Sequence, residues 1–233
     1  MYTNVNFAAP LGAMAFLGTG LLLAVTAVVL IQSLVVRKLR RARTVLIVLL
    51  AIAGAYLAAI MAFSLVSHSR LLARGEEKHF CELDCHLAYS VANVRQVKNL
   101  GNAPSQITAH GVYTIVTIKP RFDETTIAPW RGDGLLYPNG RVLTIVDDRG
   151  NRYGPSPQGQ RALDSSQGSG TPLTTPLRPT ESYTSDIVFD LPPEAKAGTL
   201  LINEGDWITR LIIGHENSPL HGRTSFEIKS FAG

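Results

Sequence analysis

The chain has 233 residues, 45% of them hydrophobic, and carries 22 Lys and Arg against 18 Asp and Glu. The excess is local: residues 1–74 hold seven basic and no acidic side chains, which leaves 15 basic against all 18 acidic in residues 75–233, about −3. The positive charge therefore belongs to membrane topology and anionic lipid, and nucleic acid is excluded as a partner. About 159 residues lie beyond the apolar N-terminal region, enough for one soluble domain to bury its own core without metal or disulfide help.

Met1 to Val36 is free of charge, Arg37-Lys38-Leu39-Arg40-Arg41-Ala42-Arg43 is strongly basic, and Thr44 to Ser67 is again charge-free. A helix needs roughly 20 apolar residues to cross a 30 Å hydrocarbon core, so the pattern predicts a transmembrane helical hairpin. Its spans run over about 11–36 and 44–67, joined by a cytoplasmic turn at 37–43, within an N-terminal domain of residues 1–74. Basic residues are retained inside, which places both termini and residues 75–233 on the periplasmic side of a bacterial inner membrane. Met1 to Pro10 has no basic n-region and a second span follows, so an uncleaved anchor is expected rather than a signal peptide. Gly18, Gly20 and Gly54 suit close packing against other membrane subunits, and no ionisable group sits mid-span to carry protons.

Residues 75–233 read as β. Leu87–Arg95, Gly111–Lys119, Arg141–Asp147, Ser185–Asp190, Thr199–Asn203, Trp207–Ile213 and Thr224–Lys229 are rich in β-branched and aromatic residues, several with period-2 alternation. Turn clusters separate them, and Gly154–Pro179, rich in Ser, Gly, Pro, Gln and Thr, reads as a long flexible loop. Seven short strands with few helices predict an all-β, two-sheet sandwich.

Asp147-Asp-Arg-Gly-Asn-Arg-Tyr153, Leu177-Arg-Pro-Thr-Glu-Ser-Tyr183 and Ile187-Val-Phe-Asp-Leu-Pro192 arrive in an order that resembles the telokin-like, immunoglobulin-like extracytoplasmic domain of bacterial lipoproteins and membrane-anchored proteins. The resemblance covers roughly residues 87–213. It implies an immunoglobulin-like β-sandwich that binds or assembles rather than catalyses. A two-span anchor replaces that family's lipidated cysteine.

Chemistry concentrates in His79-Phe-Cys81-Glu-Leu-Asp-Cys85-His86, which holds both cysteines and two of the six histidines. Outside the cytoplasm two thiols at this spacing form a local disulfide or, with the imidazoles, a soft donor set for copper or zinc; both readings stand. His215 and His221, in Gly214-His-Glu-Asn-Ser-Pro-Leu-His221, form a second arm that would complete the metal site if the ends of the sandwich meet. Two outward-facing spans, a basic turn and Cys-x-x-x-Cys also resemble subunit II of haem–copper oxidases, which implies copper. Here, however, the motif precedes the first strand, that family's downstream His and Met would fall at Tyr89 and Ala92, and no Met follows Met61. Asp123-Glu124 and Asp147-Asp148 read as surface turns rather than calcium ligands, and Trp130 and Trp207 as core or interface anchors. No catalytic triad or phosphate-cradling loop is present, so no enzyme is expected. The reading is an accessory or assembly subunit of a respiratory or photosynthetic membrane complex, its partners being other membrane subunits and the lipid bilayer. The alternative is a periplasmic copper-binding or thiol-redox protein using Cys81, Cys85 and His86.

Overall fold

The computed structural model describes residues 1–81, 85–126, 132–195 and 198–228. They form two compact units: one comprises Met1–Asn4, Ser69–Gly205 and the C-terminal segment from Arg223, the other Val5–His68 with Asp206–Gly222.

The second unit is built on two apolar helices of 27 residues each, α1 (Ala9–Val35) and α2 (Leu39–Leu65), both long and apolar enough to cross a membrane. Pro10 sits in the first turn of α1, where its missing N–H is not needed. The connection is tight because Arg37 adopts the left-handed conformation (φ 55°), while Arg37 and Lys38 donate back to the carbonyls of Leu34 and Ser33. Helix α2 begins before the charge-free run, so Arg40, Arg41 and Arg43 lie in its first turns. Arginine is a good helix former, so the basic residues extend the helix rather than interrupt it. Hydroxyls within the helices bond to their own backbone, Thr26 to Leu22 O and Ser33 to Val29 O, which satisfies them without water.

The first unit holds two five-stranded mixed sheets. One has the order β1 (Tyr2–Thr3), β3 (Lys78–Phe80), β4 (Leu87–Leu100), β5 (Ile107–Phe122), β8 (Ser185–Leu191). The other has β2 (Arg70–Leu72), β10 (Thr224–Glu227), β9 (Thr199–Glu204), β6 (Arg141–Val146), β7 (Arg152–Tyr153). The β1–β3 and β2–β10 pairs are parallel and the remaining pairs antiparallel. Phe80, Leu87, Tyr89, Ile118, Phe122 and Phe189 from the first sheet meet Leu143, Ile145, Leu200, Ile202 and Phe226 from the second in one shared core.

Strand β5 is apolar on both faces because it is covered twice. Val116 and Ile118 enter the shared core, whereas Tyr113 and Ile115 pack under α3 (Pro157–Ser166) with Ala162 and Leu163. That helix corrects the expectation of a structureless loop over Gly154–Pro179. Ser156 caps it by accepting from the N–H of Gly159, and Pro157 occupies its first turn. Gly159 lets it dock closely, since a Cβ there would come 2.6 Å from Val188 Cγ1. A second correction concerns Trp207–Ile213: residues Trp207–Leu211 form a 3₁₀ helix, capped by the Asp206 carboxylate on Ile208 N–H. Its β-type composition is overridden because the segment belongs to the helical unit, away from any ladder in the described residues.

The motifs that carried the extracytoplasmic-domain resemblance are local turns and core. Asp147 accepts from the N–H groups of Arg149 and Asn151, the Asn151 amide and the Tyr153 hydroxyl. Burial would raise its carboxyl, but these donors, Asn151 foremost, bring it below its ordinary value. Glu181 accepts from Arg178 N–H in a turn closed by Thr180 at φ 68°, and Tyr183 donates to Thr175 O. Burial pushes the Tyr183 phenol up to about 12.

Candidate functional site

Strands β3 and β4 form an antiparallel pair with His79 opposite Ala88 and Phe80 opposite Leu87. The connection leaves β3 at Cys81 and enters β4 after His86, and a disulfide between Cys81 and Cys85 closes it. Cys81 N–H donates to Asn4 Oδ1, and Asn4 N–H to His79 O, so Asn4, just after β1, holds Cys81 and His79.

Beside the disulfide lies a polar cluster. His79 Nε2 is 3.0 Å from Asp123 Oδ2, which also accepts from Arg121 Nη2 at 2.9 Å. Arg121 forks onto Glu77, its Nε and Nη2 each 2.7 Å from a carboxylate oxygen. Thr125 donates to Asp123 Oδ1 through both N–H and hydroxyl. Burial opposes the Asp123 charge, yet the bonds from Thr125 and His79 and the Arg121 cation outweigh it and hold the carboxyl well below the usual range. The Arg121 fork lowers Glu77 against its burial, and the same bond to Glu77 raises Arg121.

The partners also orient the imidazoles. Nδ1 of His86 is 2.6 Å from the Asp123 carbonyl, which can only accept, so that nitrogen carries the proton; Thr126 Oγ1 lies 2.8 Å from it. His79 presents Nε2 to the Asp123 carboxylate, and its buried Nδ1 has no hydrogen-bond partner among the described residues. Glu77, His79 and Asp123 offer donor atoms within 4.8 Å of one another, spacing that suits a metal ion. Arg121 already supplies the positive charge between the two carboxylates, so the cluster is complete as an ion-pair network.

Of the residues predicted to act together, Cys81, Cys85, His79 and His86 share this region. His215 and His221 lie in the helical unit: His215 Nδ1 accepts from Asn217 N–H and His221 Nδ1 approaches Gly222 O, with burial lowering the His221 imidazole. Bonded sulfurs are not thiolates, so in this oxidised state Cys81 and Cys85 offer no soft metal ligands. Trp130 lies outside the described residues.

Sequence reasoning passed over a second polar group, inside the shared core. Lys78, wholly buried on β3, donates to the carbonyls of Ile202 and Thr224 across the core at 2.8 and 3.3 Å. Glu204 accepts from Asn4 Nδ2 at 2.8 Å and pairs with Arg141, whose guanidinium lies 4.1 Å from the Phe80 ring centroid. The period-2 position of Lys78, two residues before core Phe80, was the available signal.

No protein-family model matches the chain, and no curated protein matches it. Two solved structures are similar in outline. One is the secreted protein MPT63 from Mycobacterium tuberculosis, 12% identical over 69% of this chain and 98% of that chain, with a TM-score of 0.41. The other is a conserved hypothetical protein from Bacillus anthracis, 15% identical over 56% of this chain and 93% of that one, with a TM-score of 0.40. Neither likeness carries an argument about function.

Proposed function

We propose that the chain is a membrane-anchored, non-enzymatic accessory or assembly subunit of a larger membrane complex. The hairpin crosses a bacterial inner membrane, both termini and an immunoglobulin-like β-sandwich face the periplasm, and the protein acts through contacts with other membrane subunits. The observation that carries this reading is the open side of the hairpin. A Cβ at Gly18, Gly20 or Gly54 would meet no described atom within 4 Å, so the smallest residues of both helices are not used where α1 packs on α2. Small residues allow close backbone approach between helices in lipid, and here they remain available to a neighbouring subunit. Support also comes from the polar cluster, whose charged groups are engaged with one another.

Affinity purification in mild detergent tests this. Gly54→Leu is expected to lose co-purifying membrane proteins while the β unit keeps its circular dichroism; full retention of those partners overturns the reading.

One observation favours the thiol-redox or copper alternative. His79 is held through Nε2 by a carboxylate and its buried Nδ1 has no hydrogen-bond partner among the described residues, the arrangement that orients metal-ligating imidazoles. On reduction, Cys81, Cys85 and His86 would join it as a soft donor set for copper. Thiol titration and metal analysis of the purified chain, before and after reduction in the presence of copper(I), decide this reading. It requires stoichiometric copper bound only by the reduced form.

A further inference from the structure

Residues 206–222 expose several large apolar side chains together with Asp206 and Arg210, and bury polar groups beside Ile213. His215, Glu216 and Ser218 are buried, whereas Trp207 is 65% exposed, Leu220 is 72% exposed, and Ile208 and Leu211 also face outward. Leu220 holds its side chain out from a left-handed backbone (φ 62°), a conformation costly for a bulky residue. In water this arrangement exposes hydrocarbon without gain. At the surface of a bilayer it is the favourable one.

The depth of the segment follows from its contacts within the helical unit. Tyr56 of α2 donates to Leu211 O at 2.7 Å, and a Cβ on Gly12 of α1 would lie 3.1 Å from Ile213 O. With Arg43 held at the inner boundary, a 30 Å core ends about 20 residues later, near Phe63. Tyr56 then lies about 10 Å beneath the outer edge at 1.5 Å per residue, and Leu211, one tyrosine side chain away, falls within reach of the outer-leaflet acyl chains. Gly12 lies in the first turn of α1, at the same end of the hairpin.

The backbone is also suited to that depth, because the segment supplies many of its own hydrogen bonds. Asp206 takes Ile208 N–H, Thr209 O takes Ile212 N–H, Ile212 O takes His215 N–H and the Ser218 hydroxyl, and Gly214 O takes Asn6 N–H. Irregular backbone is tolerated at membrane depth only where it packs on protein, as this segment does on Tyr56 and Gly12. Exposed Arg210 can extend its guanidinium to the headgroups.

We propose that residues 206–222 are a lipid-inserted interfacial segment, with Trp207, Ile208, Leu211 and Leu220 seated among the outer-leaflet acyl chains. The proposal rests on the reading of α1 and α2 as membrane-spanning. Full-length protein would be reconstituted in vesicles of phosphatidylcholine and phosphatidylglycerol whose acyl chains carry bromine near the headgroup or near the terminal methyl. In a Trp130→Phe variant, the remaining Trp207 should emit at shorter wavelength than in detergent-free peptide, lose most of its emission to the shallow bromines and resist aqueous iodide. Trp130→Phe combined with Trp207→Phe gives the tryptophan-free background against which the Trp207 signal is read. Quenching of Trp207 by iodide overturns the proposal, and so does shielding from both quenchers, which would mean a protein cover. A Leu50→Trp variant in a background with Trp130→Phe and Trp207→Phe separates the two levels. Quenching there by the deep bromines with none at Trp207 removes the interfacial segment alone, whereas no deep quenching removes the spanning hairpin and the proposal with it.

Discussion

The β unit and the helical unit treat polarity in opposite ways. Between the two sheets Lys78, Arg141 and Glu204 are buried and bonded to carbonyls, to one another or to Asn4, while the helical unit turns Leu21, Leu22, Val28, Ile47 and Leu50 outward. A buried charge is tolerable only with partners, and an exposed apolar surface of that size suits helices long and apolar enough to cross a membrane. Burial alone therefore says little about which unit is stable where. The identity of the solvent decides whether an exposed leucine is a defect or the point.

The comparison breaks most readily at Glu204. Glu204→Ala removes a partner from both Arg141 and Asn4 in the core and should cost about 3–5 kcal/mol, the usual loss when one side of a buried pair is deleted. Denaturant unfolding of the full chain in detergent, followed by near-ultraviolet circular dichroism, measures it. A loss below about 1 kcal/mol, the level of an exposed pair, would show that these charges are hydrated.

An aspartate introduced at two exposed positions sharpens the contrast. Leu50 is 60% exposed on α2 and Tyr137 is 68% exposed in the β unit. Leu50→Asp should cost about 3 kcal/mol of membrane insertion, read as loss of protein from the membrane fraction. Tyr137→Asp should stay within about 0.5 kcal/mol. Equal tolerance would mean that water surrounds both sites.

Smaller effects are expected at the cysteine segment. Converting Cys81 and Cys85 to Ser removes a cross-link over a very short loop, for which chain entropy gives about 2 kcal/mol, and β4 should survive because its ladder with β5 is long. Asp123→Asn should cost about 1 kcal/mol at neutral pH through its weakened bond to Arg121. Its clearer signature is in acid. The folded carboxyl lies below its unfolded value, so its contribution is complete above about pH 5 and is lost as pH falls through the unfolded value near 3.9 towards the folded one. Wild-type stability should therefore drop over that range, and Asp123→Asn should flatten the drop. An unchanged acid profile would remove Asp123 from the set of groups that couple folding to pH.

Much of the fold was legible in the chain. The charge-free runs around the basic turn became α1 and α2, and alternation marked β4, β5, β6, β8, β9 and β10 to within a few residues, β4 and β5 running longer. What escaped had weak local signals. Strands β1, β2 and β3 have only two or three residues and exist because a neighbour pairs with them. The start signal for α3, Ser156 before Pro157, sat inside a run whose composition reads as loop, and only packing on Tyr113 and Val188 makes a ten-residue helix worthwhile. The site was half visible: the disulfide pair and His79 stood out by proximity in sequence, but Arg121 did not, because it lies 44 residues from Glu77.

By itself the sequence determined where hydrocarbon must be, through two long apolar runs and a set of alternating segments, because hydrophobic period is a short-range property that survives reading one window at a time. The tertiary structure decided which charges stand together. Arg121 meets Glu77 and Asp123, and Lys78 reaches Ile202 and Thr224, only after the strands have taken their registers. It also decided that Trp207–Leu211 leaves the β pattern for the helical unit. Register and docking are set by many weak contacts between distant residues at once, and no single window of the chain contains them.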